Sequence, residues 1–206
     1  PSAFSHAFVA IAIGSSSDRI RLFKIPLIGS ICAAIPDLDA IGFQMGIPYD
    51  SLFGHRGITH SFFFSFFLAL LVMKLFFTNE IIKGKKWVGL FLYFFLATAS
   101  HPILDMFTNG GLGVALFAPF SNHRYFFAFR PVKVAPLSVE GFFTTRGWEV
   151  FKSELLWIWV PCIVYMLLVT LFEKENKPVS QFSTLVRITP AIKVKKMNAI
   201  IPINRL

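Results

Sequence analysis

Thiols and acids are scarce in this chain of 206 residues. The two cysteines, Cys32 and Cys162, lie far apart inside apolar runs. That excludes a disulfide framework and any zinc-finger spacing, and each thiol reads as a small buried hydrophobe. Acidic side chains number 11 against 20 lysines and arginines, a formal charge of +9. No His-Glu-x-x-His occurs, so the commonest metalloprotease signature is missing. No internal repeat, Gly/Ser linker or low-complexity tract is present. The first residues lack the basic n-region and small-residue cleavage site of a secretory signal, so the first apolar segment is expected to be retained.

Apolar side chain is what the sequence has in excess. The chain is 55% hydrophobic, carries 26 phenylalanines and has a mean hydropathy of +0.64. This composition predicts an all-α membrane protein, one domain whose solvent is largely lipid. A span needs about 20 apolar residues. Residues 61–77, 87–108 and 155–172 qualify, the last with Pro161 predicted to kink it. Residues 3–14 and about 22–36 are shorter, tilted helices or a re-entrant pair. The expectation is about five membrane-embedded helices, two of them short and N-terminal. An integral domain over 1–172 would then include an extra-membrane loop region, 107–154, in which "VKVAPLSVE" alternates weakly enough to pair as strands. A basic tail would follow over 173–206.

The position of the basic residues predicts orientation. Arg19, Arg21 and Lys24 separate the first two segments, Lys83, Lys85 and Lys86 separate the third and fourth, and seven more lie in the tail. An alternating five-helix topology puts all of these on one side, and Arg56, Arg124, Arg130, Lys133, Arg146 and Lys152 on the other. The positive-inside rule makes the richer side cytoplasmic, with the N-terminus out and the C-terminus in. The tail reads as a lipid-facing surface rather than a nucleic-acid site, and no nucleic-acid partner is expected.

The same topology collects the chemistry. His6 falls near the outer end of the first helix, Asp37 and Asp39 after the second, and His55 and His60 before the third. His101 and Asp105 fall late in the fourth. These seven groups come from distant parts of the chain to one level at the outer side. Imidazole nitrogen and carboxylate oxygen are the donors of catalytic zinc and of manganese or iron sites. His101 and Asp105, four apart, share a helix face and can grip one ion or bridge two. Asp37 and Asp39, two apart after Pro36, could point one way in an extended turn. Ionisable groups at a membrane core are costly and mark function. His123 shares the side as a ligand or headgroup contact, Asp18 and Asp50 read as solvated, and Thr59 and Ser61 read as helix caps.

At these residues the sequence resembles a family. "FSHAFVA", "PDLD", "GHRGITHS" and "HPILDMFTNGG" resemble the YdjM family of inner-membrane proteins over about residues 1–125. The resemblance implies a metal-dependent hydrolase of the bacterial inner membrane, with His6, Asp37, His55, His60, His101 and Asp105 as metal ligands and Asp39 as ligand, bridge or base. The His-x-x-x-Asp spacing is also similar to the zinc-dependent phospholipase C and nuclease superfamily, whose members hold up to three zinc ions. This chain keeps one clear copy of that spacing.

The expected chemistry is metal-assisted hydrolysis with one to three divalent ions, zinc first and manganese second. Asp37 or Asp39 would orient or deprotonate water, and Arg56 would neutralise a phosphoryl oxygen. The substrate expected at headgroup depth is a lipid or lipid-linked phosphoester, met by Tyr125, Phe126 and Phe127 beside Arg124 and Arg130. The rival reading is a metal-ion or proton transporter, and a third is an interaction protein with a stabilising metal.

Overall fold

The computed structural model describes residues 1–16, 24–77, 84–136 and 138–176. Arg19, Arg21, Lys83, Asp18 and the tail beyond residue 176, which carry much of the expected orientation signal, lie outside the described residues. Pro1–Thr170 forms one compact unit and Leu171–Leu206 a second.

The helices begin where the sequence provides caps. Helix α1 (Ala3–Gly14) opens on Ser2, whose hydroxyl accepts from the Ser5 amide. Helix α2 (Lys24–Ala34) continues without a break into a 3₁₀ helix, Ile35–Phe43, with Pro36 in its first turn. Helix α3 (Phe62–Phe76) opens on Ser61, which accepts from the Phe64 amide at 3.0 Å. Helix α4 spans Lys85–Met106. A short helix α5 (Val139–Phe142) leads to α6 (Thr145–Glu154), a π turn (Leu155–Trp159) and α7 (Val160–Asn176).

Among the described residues, three segments are long and apolar enough to cross a membrane: Lys24–Phe43, Lys85–Met106 and Thr145–Glu173. Helices α1 and α3 are shorter, at 12 and 15 residues. The fold is all-helical with five apolar helical segments, but the short pair differs from the expected one. The second segment reaches 20 residues because its 3₁₀ continuation adds length, at about 2.0 Å rise per residue. The last segment starts ten residues earlier than expected, at Thr145 rather than 155. Its π turn ends two residues before Pro161, whose ring would strike the Trp157 carbonyl in a regular helix. The sequence "VKVAPLSVE" forms no strand among the described residues. Only isolated bridges occur in this region, Thr108 with Val132 and Val114 with Tyr125.

Helices α1, α2, α3 and α4 pack side by side. Lipid tails are as apolar as leucine, so close backbone approach has to drive their association. Ala10, Ala33 and Ala97, all buried, let α1, α2 and α4 meet. Away from that contact, Ile25, Cys32, Val72, Met73, Leu90, Tyr93 and Phe94 fill the space between α2, α3 and α4. Phenylalanines such as Phe66 and Phe67 on α3 stay exposed, as lipid-facing residues do. Chain direction decides the rest. The start of α1, the end of α2, the start of α3 and the end of α4 lie at one end of the bundle. Lys24, Lys85 and Lys86 mark the other end.

Candidate metal centre

The structure brings all seven sequence-predicted donors into one connected cluster at that end of the bundle. His60 Nε2 faces His101 Nε2 at 3.0 Å, Asp105 Oδ2 at 3.5 Å and Asp37 Oδ1 at 3.7 Å. His101 Nε2 lies 3.4 Å from Asp37 Oδ1 and 4.0 Å from Asp105 Oδ2. Two donors each about 2.1 Å from one ion sit roughly 3.0–3.4 Å apart. Asp37, His60, His101 and Asp105, with donor atoms within 4.8 Å of one another, could draw together on a shared cation.

The imidazoles are already oriented for that role. His101 Nδ1 donates to the Ala33 carbonyl at 2.7 Å, which leaves the Nε2 lone pair facing the centre. His60 Nδ1 lies 3.1 Å from Asp39 Oδ2, again leaving Nε2 for the centre. Metal-bound histidines are commonly held in this way by a carbonyl or carboxylate. His6 stacks on His101 with ring centroids 3.6 Å apart. It is fully buried, and neither of its ring nitrogens has a hydrogen-bond partner. Its Nε2 is 3.6 Å from Asp105 Oδ1. A buried imidazole left unsatisfied in this way fits a site built for a cation.

Asp37 and Asp39 do not point one way. The backbone there is a 3₁₀ helix rather than an extended turn, so residues two apart point about 120° apart around its axis. Asp37 turns to His60 and His101, and its side chain is 30% exposed where Asp105 is 3%. Asp39 turns outward from the ion position. It accepts from His55 Nδ1 at 2.6 Å, from the Arg56 amide at 3.2 Å and from the Thr59 hydroxyl. Asp39, His55 and His60 form a second group whose donor atoms lie within 4.8 Å of one another and could hold an ion. Thr59 is thus a partner of Asp39 rather than a cap, whereas Ser61 does cap α3.

Arg56 is 2% exposed and turned inward. Its Nε lies 2.9 Å from Asp105 Oδ2, an ion pair that lacks hydrogen-bond alignment. Nη1 donates to the Gly110 carbonyl at 2.8 Å and Nη2 to the Thr108 hydroxyl at 3.0 Å. The guanidinium expected to grip substrate phosphate is largely committed to holding Asp105. Its backbone has φ of 62°, a left-handed conformation uncommon for a large side chain and typical of strained functional positions. The glycines of "GHRG" permit this turn. A Cβ on Gly57 would lie 2.2 Å from the Leu52 carbonyl oxygen, and one on Gly54 would lie 2.2 Å from that of Pro48.

The Asp37, Asp39 and Asp105 carboxylates face the Arg56 guanidinium, 2.9 Å from Asp105 Oδ2, and the Pro1 ammonium, 2.8 Å from Asp105 Oδ1. Burial of His60 opposes its protonation. The Asp105, Asp37 and Asp39 carboxylates outweigh burial and push its pKa up to about 10 in the ion-free protein. A cavity of about 210 Å³ opens on the cluster, lined by Asp37, His55, Arg56 and Asp105 with Ala135 and Phe142.

Other expected contacts fall elsewhere. His123 is exposed against Tyr125 and outside the cluster. Arg124 also turns inward, donating to the carbonyls of Tyr49 at 2.9 Å and His55 at 3.1 Å, and so clamps the loop that carries His55. Arg130 lies over the Phe126 ring. Sequence reasoning missed Glu154. It is 3% exposed and accepts from the Ser2 amide, from the Ser2 hydroxyl at 2.6 Å and from the Ser5 hydroxyl at 2.7 Å. This ties the start of α1, and so His6, to the last span. The available signal was an acidic residue directly before an apolar run.

The sequence matches the family described as YdjM inner membrane protein over residues 2–176. It is also 33% identical over 172 residues to the inner membrane protein YbcI of Escherichia coli strain K12, covering 81% of this chain and 95% of that protein. No solved structure matches.

Proposed function

The chain belongs to the YdjM family of inner membrane proteins, and from that premise we propose that it is a metal-dependent hydrolase of a lipid or lipid-linked phosphoester. One observation carries the reading: four donors within 4.8 Å of one another, one of them partly open to a cavity at a helix-end depth. Asp37, His60, His101 and Asp105 would hold the ion, with His6 beside Asp105 as a fifth donor. Zinc suits this nitrogen and oxygen set, and manganese is second. When bound, the ion supplies a Lewis acid and a water acidic enough to ionise near neutral pH.

The protein's own residues supply the remainder. His55 lines the cavity, and Asp39 holds its Nδ1, so Nε2 is the nitrogen left to take a proton from water. Asp39 orients this base, as a carboxylate orients the imidazole of a catalytic triad. Arg56 fixes Asp105 and keeps its charge from repelling substrate. The basic ends of α2 and α4 favour, by the positive-inside rule, a site on the extracytoplasmic face with the N-terminus out.

Elemental analysis of detergent-purified protein beside its His101→Ala and Asp105→Ala variants tests the centre. At least one zinc or manganese per chain, lost in both variants together with phosphoester turnover in detergent, is expected. Metal retained in both variants refutes the ligand set. Metal bound without turnover in detergent, but moved across sealed vesicles, replaces the hydrolase with the transporter.

A further inference from the structure

A second cavity adjoins the metal pocket. It measures about 560 Å³, within the ~300–1,000 Å³ range of ligand sites, and is walled by Phe4, Phe142, Phe143, Trp148, Phe151 and Trp159. Ser2, Phe4 and Phe142 line both this cavity and the one on Asp37 and His55, so the two share a wall. Its aromatic walls brace one another: Trp148 stacks on Phe151 at 5.5 Å and Trp159 on Phe8 at 4.6 Å.

The few polar groups lining it are already engaged. Glu154 accepts from Ser2 and Ser5, and Trp159 Nε1 donates to the Ser5 hydroxyl at 2.8 Å. The Thr144 hydroxyl donates to the Gly141 carbonyl at 2.7 Å and accepts from the Gly147 amide. An occupant therefore finds mainly apolar surface. One wall belongs to the apolar segment Thr145–Glu173, which is long enough to cross a membrane. The mouth carries Phe143 and Phe4, 88% and 76% exposed.

We propose that this cavity seats the hydrocarbon chain of the lipid whose phosphoester lies at the metal centre, a step that rests on the hydrolase reading above. The arrangement makes the enzyme a reader of both ends of its substrate: donors and an ion for the phosphoester, and an aromatic slot for the chain. Chain length then governs affinity. For substrates dissolved as monomers, each methylene that enters the slot lowers KM roughly fourfold until the slot is full.

The test is photolabelling of the metal-loaded protein in detergent with a phospholipid that carries a diazirine at its chain end, read by peptide mass spectrometry. Labelling is expected to concentrate on residues 2–4 and 142–151 over the exposed Phe66 and Phe67 of α3. It should fall at least fivefold when metal is chelated, and again in the Phe143→Asp and Phe4→Ala variants, whose metal content should match the parent. A diazirine fatty alcohol, lacking phosphate, should label the slot independently of metal and more weakly. Even labelling of both apolar faces, or equal metal-independent labelling by alcohol and phospholipid, overturns the proposal. Slot labelling without ester hydrolysis supports the chain seat and removes the hydrolase reading. Hydrolysis of a chain-free phosphodiester with an unlabelled slot does the reverse.

Discussion

Asp39→Asn separates a base-orienting carboxylate from a metal ligand. Asp39 serves four donors, and they divide unequally. Oδ1 takes His55 Nδ1, while Oδ2 takes His60 Nδ1, the Arg56 amide and the Thr59 hydroxyl. An asparagine keeps one acceptor oxygen. That oxygen belongs at the Oδ2 position, because an amide nitrogen there would face the Arg56 N–H with no acceptor between them. The new NH₂ then points at His55 Nδ1, which must accept, so the imidazole proton moves to Nε2. His55 presents an N–H to the cavity instead of a lone pair, and the base is lost. His60 keeps its tautomer and its free Nε2. The expected result is a fall in kcat of roughly 10²–10⁴-fold, the contribution of a positioned base. Metal affinity should fall about tenfold, the low end for an outer partner. Turnover of a soluble phosphodiester and titration against a competing chelator, on one detergent preparation, measure the two together. Loss of the ion as complete as in His101→Ala would make Asp39 a ligand, and unchanged turnover would remove His55 as the base.

Further perturbations probe the supports. Arg56→Met removes one of the positive charges paired with the buried Asp105, which keeps the Pro1 ammonium at 2.8 Å, and should cost at most about 3–5 kcal/mol in the ion-free protein. Thermal unfolding with and without added zinc reads this, and an unchanged midpoint in the ion-free state contradicts the pairing. The raised pKa of His60 gives a pH window. Protonated His60 stabilises the ion-free fold fully below its ordinary value of 6.5, and that contribution fades as pH climbs towards about 10. An ion must displace this proton, so apparent metal affinity should rise about tenfold per pH unit between pH ~7 and ~9; a flat profile removes the claim. Gly57→Ala forces a Cβ against the Leu52 carbonyl oxygen and should lower both metal content and thermal stability, while parent-like values for both would show that the loop yields.

The convergence of the donors was legible because crossing parity alone decides it. Once four apolar segments alternate through a membrane, the start of the first and third and the end of the second and fourth share a side. His6, Asp37, His55, His60, His101 and Asp105 sit at those positions in the sequence. Backbone detail was not legible. Nothing in "IPDLD" distinguishes an extended turn from a nine-residue 3₁₀ helix, yet that choice sends Asp39 away from Asp37. Arg56 looked like an exposed phosphate grip because its reach to Gly110 and Thr108 depends on a loop more than 50 residues away. Glu154 was hidden for a similar reason, since its partners are Ser2 and Ser5 at the far end of the chain.

Helix ends alone do not explain why a cation would bind there. The carboxyl ends of α2 and α4 bring partial negative charge, but the amino ends of α1 and α3 bring partial positive charge to the same level. Antiparallel neighbours therefore cancel, and the attraction has to come from side chains. The positive ends are answered locally. Ser2 caps α1, with the Glu154 carboxylate hydrogen-bonded to that cap, and Ser61 caps α3. One negative end is used directly, since the Ala33 carbonyl in the last turn of α2 orients His101. With the ends settled, Asp37, Asp39 and Asp105 face Arg56, the Pro1 ammonium and His60. Buried negative charge is costly beside a membrane; in the ion-free protein a proton on His60 offsets part of it and bridges to His101 Nε2, and a divalent cation taking that proton's place between the two Nε2 atoms would bring one more positive charge to the same point.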